Sequence, residues 1–115
     1  MIYQIYHNPR CRKSRETLAL LKSNKIDPEI VLYLKEVPTQ KALKAILKKL
    51  GISADKLVRK SESIFKEKFK GKSLTENEWI KAMLEYPKLI ERPIVIKGNQ
   101  AIIGRPPENV LDLIN

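Results

Sequence analysis

The amino-acid sequence predicts a mixed α/β domain in the order βαβ, then a block of helices, then ββα. Three observations carry this reading. A run rich in β-formers at the N-terminus leads through a proline-containing loop into an amphipathic stretch and a second β-rich run. The middle of the chain repeats apolar residues at helical spacing between turn residues. Near the C-terminus, two β-branched segments flank a glycine-containing turn.

Met1–Tyr6 reads as the first strand, and His7-Asn8-Pro9-Arg10 breaks it, since Pro9 removes a donor and Asn8 favours turns. A helix follows from about Arg12 to Asn24, with Leu18 and Leu21 on one face and Asn24 as a left-handed cap. Glu29–Leu34 is the second strand, and its Ile30-Val31-Leu32 core suits a buried parallel position. The helical crossover makes this a right-handed βαβ unit. Thr39 caps a helix whose Leu43, Ile46, Leu47 and Leu50 share a face, and Gly51 ends it. Ser53 caps a short helix through Val58. Residues 61–70 form another helix, with Ile64, Phe65 and Phe69 inward. Thr75 and Glu78 form a capping box for a helix that Pro87 stops. Ile94–Ile96 and Ala101–Ile103 pair across a type II′ turn with Gly98 at its first central position, and a final helix turns Val110, Leu111 and Ile114 inward. This is the order of a thioredoxin/glutaredoxin-like fold with a helical insertion between its halves. Residues 1–115 read as one domain, divided as 1–37, 38–90 and 91–115.

A chain of 115 residues suffices for one such domain. No apolar run approaches the roughly 20 residues that span a bilayer, and the N-terminus lacks the features of a signal peptide. One cysteine cannot make a disulfide framework, so a reducing, cytoplasmic setting is expected. The net charge of +10 is uneven: residues 40–72 hold eleven basic and three acidic side chains. Those lysines interleave with leucines at helical spacing and lack stacking aromatics, so they read as a solvated face, and nucleic acid is not an expected partner.

Cys11 falls where the first loop enters the first helix. Unpaired N–H groups and the positive end of the helix dipole stabilise a thiolate there, and Arg10, Arg12, Lys13 and Arg15 add positive potential. The same helix end attracts oxyanions. Ser14 stands at Cys-x-x-Ser spacing, where its hydroxyl either donates to the sulfur or satisfies helix-end backbone. His7 is the sole histidine, and either serves as acid–base partner or orders the loop. Only six arginines occur against seventeen lysines, and two precede prolines at Arg92-Pro93 and Arg105-Pro106. With one cysteine, the resolving thiol must come from outside the chain.

The segment His7-Asn8-Pro9-Arg10-Cys11-Arg12-Lys13-Ser14-Arg15 resembles the active-site loop of the glutaredoxin-coupled arsenate reductases. The resemblance continues through Gly51-Ile52-Ser53, Leu57-Val58-Arg59-Lys60, Glu91-Arg92-Pro93-Ile94-Val95 and Gly104-Arg105-Pro106-Pro107-Glu108-Asn109-Val110-Leu111. It covers essentially the whole chain. Arg12-Lys13 stands where well-studied members have Gly-Thr, and Gly104 where a cysteine is often seen.

The resemblance implies an oxidoreductase that reduces arsenate to arsenite through a Cys11 thioarsenate, resolved by glutathione and glutaredoxin. It implies catalytic roles for His7 and Ser14 beside the Cys11 nucleophile, and oxyanion binding by Arg15 of the active-site loop with Arg59, Arg92 and Arg105. Pro93 is implied to follow a cis bond. Glutathione is then a co-substrate, and neither a bound cofactor nor a metal is expected. Two alternatives stay open: an RNA polymerase-binding regulator of the Spx type, which typically carries Cys-x-x-Cys, and a general glutathione-linked thiol transferase.

Overall fold

A computed structural model describes residues 2–114; Met1, expected in the first strand, and Asn115, in the last segment, lie outside the described residues. The strands are β1 (Tyr3–Tyr6), β2 (Glu29–Val31), β3 (Ile94–Lys97) and β4 (Gln100–Ile103). They form one sheet in the order β2-β1-β3-β4, with β1 parallel to β2, and β3 antiparallel to both β1 and β4. Helix α1 (Arg12–Ser23) connects β1 to β2. The helices α2 (Gln40–Leu50), α3 (Ala54–Leu57), α4 (Ser63–Lys68) and α5 (Glu76–Glu85) intervene before β3, and a 3₁₀ turn at Pro87–Leu89 follows them. After β4, a second 3₁₀ turn at Pro107–Val110 runs into α6 (Leu111–Ile114). The topology is thioredoxin/glutaredoxin-like, with the helices inserted between the βαβ and ββα halves.

The chain divides into two compact units, Met1–Glu36 with Arg92–Asn115, and Val37–Glu91. In the first, Ile5 of β1 sits opposite Val95 of β3, and both are buried with Leu21, Val110 and Leu113. Side chains in register share a sheet face, so this core forms where α1 and the C-terminal turn cover the sheet. Each such burial contributes about 1.5–3 kcal/mol. In the second unit, Leu43, Ile46 and Leu47 are the buried stripe of α2, Thr39 Oγ1 accepts the Ala42 N–H at 3.1 Å, and Gly51 closes the helix at φ 71°. Thr75 and Glu78 make the expected capping box. Phe65, Phe69, Trp79 and Tyr86 cluster with ring centroids about 6 Å apart.

Three local expectations need correction. The β2 strand is three residues long and lies at the sheet edge, so Ile30 is 42% exposed rather than buried. The left-handed residue after α1 is Lys25 (φ 63°), not Asn24, whose amide instead donates to the Leu20 carbonyl at 2.8 Å. Within the expected helix over 61–70, only Ser63–Lys68 is helical, and its aromatic residues are half-buried.

One close approach joins the end of β4 to α1. The buried Thr17 hydroxyl donates to the Lys13 carbonyl at 2.8 Å and to the Gly104 carbonyl at 3.3 Å. A Cβ at Gly104 would lie 2.6 Å from Thr17 Oγ1 and 2.9 Å from Pro93 Cγ. Gly104→Ala is therefore expected to lower stability by about 1–3 kcal/mol. Thr17→Ala in the same chain should recover part of that, giving a coupling of about 0.5 kcal/mol or more in denaturant melts. Strict additivity of the two losses would show that the contact is not tight.

Candidate active site

The site is built on the loop between β1 and α1. The Cys11 N–H donates to the Asn8 carbonyl at 2.9 Å, and the Arg10 N–H donates to Asn8 Oδ1 at 3.1 Å. Arg15 reaches back from α1 to the Pro9 carbonyl at 3.0 Å. These bonds close a turn that delivers Cys11, in extended backbone conformation, to the N-cap of α1. The first N–H groups of a helix have no carbonyl partner within it, so an acceptor at the cap is favoured.

Cys11 is a free, half-buried thiol. Burial pushes its pKa up. The Ser14 N–H, the Arg92 guanidinium through both hydrogen bond and charge, and the Lys13 N–H outweigh that, leaving the thiol below its ordinary value. Arg105 Nη1 also lies 3.9 Å from Cys11 Sγ and donates to the Arg92 carbonyl at 3.3 Å. The Arg92–Pro93 and Arg105–Pro106 bonds are both cis.

His7 and Ser14 form a buried pair behind the cysteine. Ser14 Oγ is 2.6 Å from His7 Nδ1 and accepts the Asn8 N–H at 3.0 Å. Ser14 therefore meets the sulfur through its backbone N–H, while its hydroxyl engages the loop. Burial, Arg15 and Lys22 lower the His7 pKa, which keeps the imidazole neutral near pH 7.

Arg92 and Arg105 thus share a unit with Cys11 and reach its sulfur. Arg59 belongs to the helical unit, where it pairs with Glu62 at 3.4 Å and Glu91 at 3.8 Å. Thr17, Gly104 and Asn8 also shape the site, in structural roles that the sequence motifs do not assign to them. Asn8 carried a turn signal, whereas Thr17 and Gly104 gain importance only from a contact across 87 residues. Among the described residues, no group of three or more His, Cys, Asp or Glu could hold a metal ion, and no helix is long and apolar enough to cross a membrane. The arrangement suits a nucleophilic thiolate beside an oxyanion, with helix N–H groups and two guanidinium groups as donors.

The sequence profile of the ArsC family matches residues 6–113. The chain is 51% identical over 113 residues to the uncharacterized protein YfgD of Escherichia coli K12, covering 96% of this chain and 95% of that one. It is 47% identical to an arsenate reductase of Haemophilus influenzae, covering 96% and 97%. Among solved structures, an arsenate reductase from Vibrio cholerae superposes with a TM-score of 0.93 at 46% identity, covering 97% of each chain.

The lowered thiol pKa predicts a pH profile. Thiolate is the alkylated form, so iodoacetamide labelling of Cys11 should rise with pH through a midpoint below about 8.5. Arg92→Gln removes a cationic partner of the anion and should move that midpoint upward. Because folding depresses this pKa, the associated stabilisation is present above the unfolded thiol's pKa and is lost as pH falls through the folded one. A wild-type midpoint at or above 8.5, or no change in Arg92→Gln, would contradict the assignment.

Proposed function

This chain belongs to the ArsC family, and we propose that it reduces arsenate to arsenite with Cys11 as nucleophile. The observation that carries the reading is the set of donors around the Cys11 sulfur. The N–H groups of Ser14 and Lys13 lie on the helix side, and the guanidinium groups of Arg92 and Arg105 come from the loops flanking the β3–β4 hairpin. A tetrahedral oxyanion that approaches the sulfur meets the same donors. The relatives named arsenate reductase support the choice of oxyanion.

In this mechanism the Cys11 thiolate attacks arsenic, an oxygen leaves as water, and a thioarsenate forms. Arg92 and Arg105 neutralise the charge that gathers on the arsenate oxygens, and their planar forks orient it. The neutral His7 and the Ser14 hydroxyl hold the loop, so the sulfur stays at the helix end. Glutathione then attacks the thioarsenate. Arsenic(V) takes up the electron pair of an As–S bond and departs as arsenite, and the two thiols that supplied the electrons end as a disulfide. Glutaredoxin reduces that mixed disulfide and returns Cys11 to the thiolate. The lone cysteine supports the external thiol, since no second sulfur of that type exists in the chain.

Arsenite production with glutathione and glutaredoxin tests the reading. Cys11→Ser should abolish it, and Arg92→Lys and Arg105→Lys should each lower turnover by about 10²–10³, as loss of one transition-state donor does. The oxyanion role that the family resemblance implies for Arg59 predicts the same for Arg59→Lys. Circular dichroism should find each variant folded. Near-wild-type rates in all three lysine variants would overturn the oxyanion assignment. Co-purification with RNA polymerase without arsenite production would favour the regulator, and cleavage of glutathione adducts alone would favour the transferase.

A further inference from the structure

The groups that act on the Cys11 sulfur supply charge rather than protons. They are the Ser14 and Lys13 N–H groups and the guanidinium groups of Arg92 and Arg105, with Arg105 Nη1 at 3.9 Å. A guanidinium stays protonated throughout the working pH range, so it stabilises an anion but does not hand over a proton. The Ser14 hydroxyl is engaged in the loop, by His7 Nδ1 at 2.6 Å and by the Asn8 N–H at 3.0 Å. Arg105 is fixed by its bond to the Arg92 carbonyl at 3.3 Å.

Such a site suits a reaction whose leaving group departs as a stable anion. Arsenate lacks that property, because its oxygen leaves as water only after taking up protons. A tetrahedral sulfur oxyanion that carries an outer, sulfane sulfur has it. When a thiolate attacks the outer sulfur, sulfite departs as a weakly basic anion, and sulfur leaves faster the less basic it is. The oxygens of such an anion fit the same helix N–H groups and guanidinium forks as those of any tetrahedral oxyanion.

The product of that attack is one this chain can keep. A persulfide beside a second thiol collapses to a disulfide and loses its outer sulfur as hydrogen sulfide. Cys11 is the only cysteine in the sequence, so its persulfide persists until an outside acceptor takes the sulfur. The donors that favour the Cys11 thiolate favour the persulfide anion for the same electrostatic reason.

We propose that Cys11 also accepts sulfane sulfur from a thiosulfate-type oxyanion and passes it to a nucleophilic acceptor, making the protein a sulfurtransferase. In the first step the Cys11 thiolate bonds to the outer sulfur of thiosulfate, and sulfite leaves with the electron pair of the broken S–S bond. In the second, cyanide or a thiolate attacks the terminal persulfide sulfur and carries it off as thiocyanate or a new persulfide, and the bonding pair returns to Cys11 as thiolate. Neither step needs a proton or an added oxidant or reductant. The proposal rests on the anion-binding thiolate site of the reading above, and not on arsenate being its substrate.

Thiosulfate and cyanide test this with no arsenate present. Protein treated with thiosulfate should gain a sulfur atom by intact mass, release sulfite, and lose the added sulfur to cyanide as thiocyanate. Cys11→Ser should do none of these. Persulfide formation should run at least about 10²-fold faster than on N-acetylcysteine at equal thiolate concentration, the scale of one well-placed anion donor. Arg92→Gln and Arg105→Gln should each slow it by about 10²-fold, at a pH above every variant's thiol midpoint, with circular dichroism unchanged. That fall should exceed any fall in alkylation by iodoacetamide, a neutral electrophile. A wild-type rate no greater than that of N-acetylcysteine, sulfur gain that survives in Cys11→Ser, or an equal loss of thiosulfate and iodoacetamide reactivity in the arginine variants would each overturn the proposal. Arsenite production without sulfur transfer would overturn it and leave the arsenate reading intact. Sulfur transfer without arsenite production would sustain it and sink the arsenate reading.

Discussion

The contact between Thr17 and Gly104 governs where the reactive helix end lies. It holds α1 against the segment leaving β4, close to the ring of Pro93. That segment continues directly into Arg105, and Pro93 is preceded by Arg92. Both guanidinium groups therefore reach a sulfur carried on a different part of the chain. The absence of a Cβ at Gly104 is what permits the approach. The same crowding argues against a side chain of any kind at that position, a second thiol included.

Electrostatics at Cys11 are a balance of opposed effects. Partial burial alone would favour the neutral thiol, and helix N–H groups and Arg92 reverse that preference. His7 is handled the other way. Burial and two cations keep it uncharged, so it pairs with Ser14 without competing with the sulfur for negative charge. The site thus concentrates fixed positive charge on the sulfur side and keeps the His7 imidazole behind it neutral. A preorganised set of donors of this kind needs little rearrangement when an anion arrives.

Arg59 stands apart from the other two arginines in its surroundings. Glu62 and Glu91 share its charge within the helical unit, whereas Arg92 and Arg105 face the thiol in theirs. The many lysines of residues 40–72 follow the amphipathic pattern, with apolar side chains such as Leu43, Ile46 and Leu47 buried. Their abundance raises the net charge of the chain.

Local rules were enough to read much of this protein. The strand–loop–helix pattern located Cys11 at the start of α1, because capping and turn preferences act within a few residues. The alternation around Gly98 identified the β3–β4 hairpin, and Thr75 with Glu78 announced α5. The flanking of that hairpin by Arg92 and Arg105 brought them to neighbouring ends of antiparallel strands. Interactions between distant residues escaped such rules. Whether β2 was central or at an edge depended on the strand order, which the composition of Ile30-Val31-Leu32 does not encode. Whether Ser14 turned its hydroxyl to the sulfur or to His7 depended on how the loop folded back. The meeting of Thr17 with Gly104 exists only once the sheet has assembled. Periodicity and capping are near-neighbour effects that the order of residues specifies directly, while close approaches between remote segments arise from packing the finished elements together.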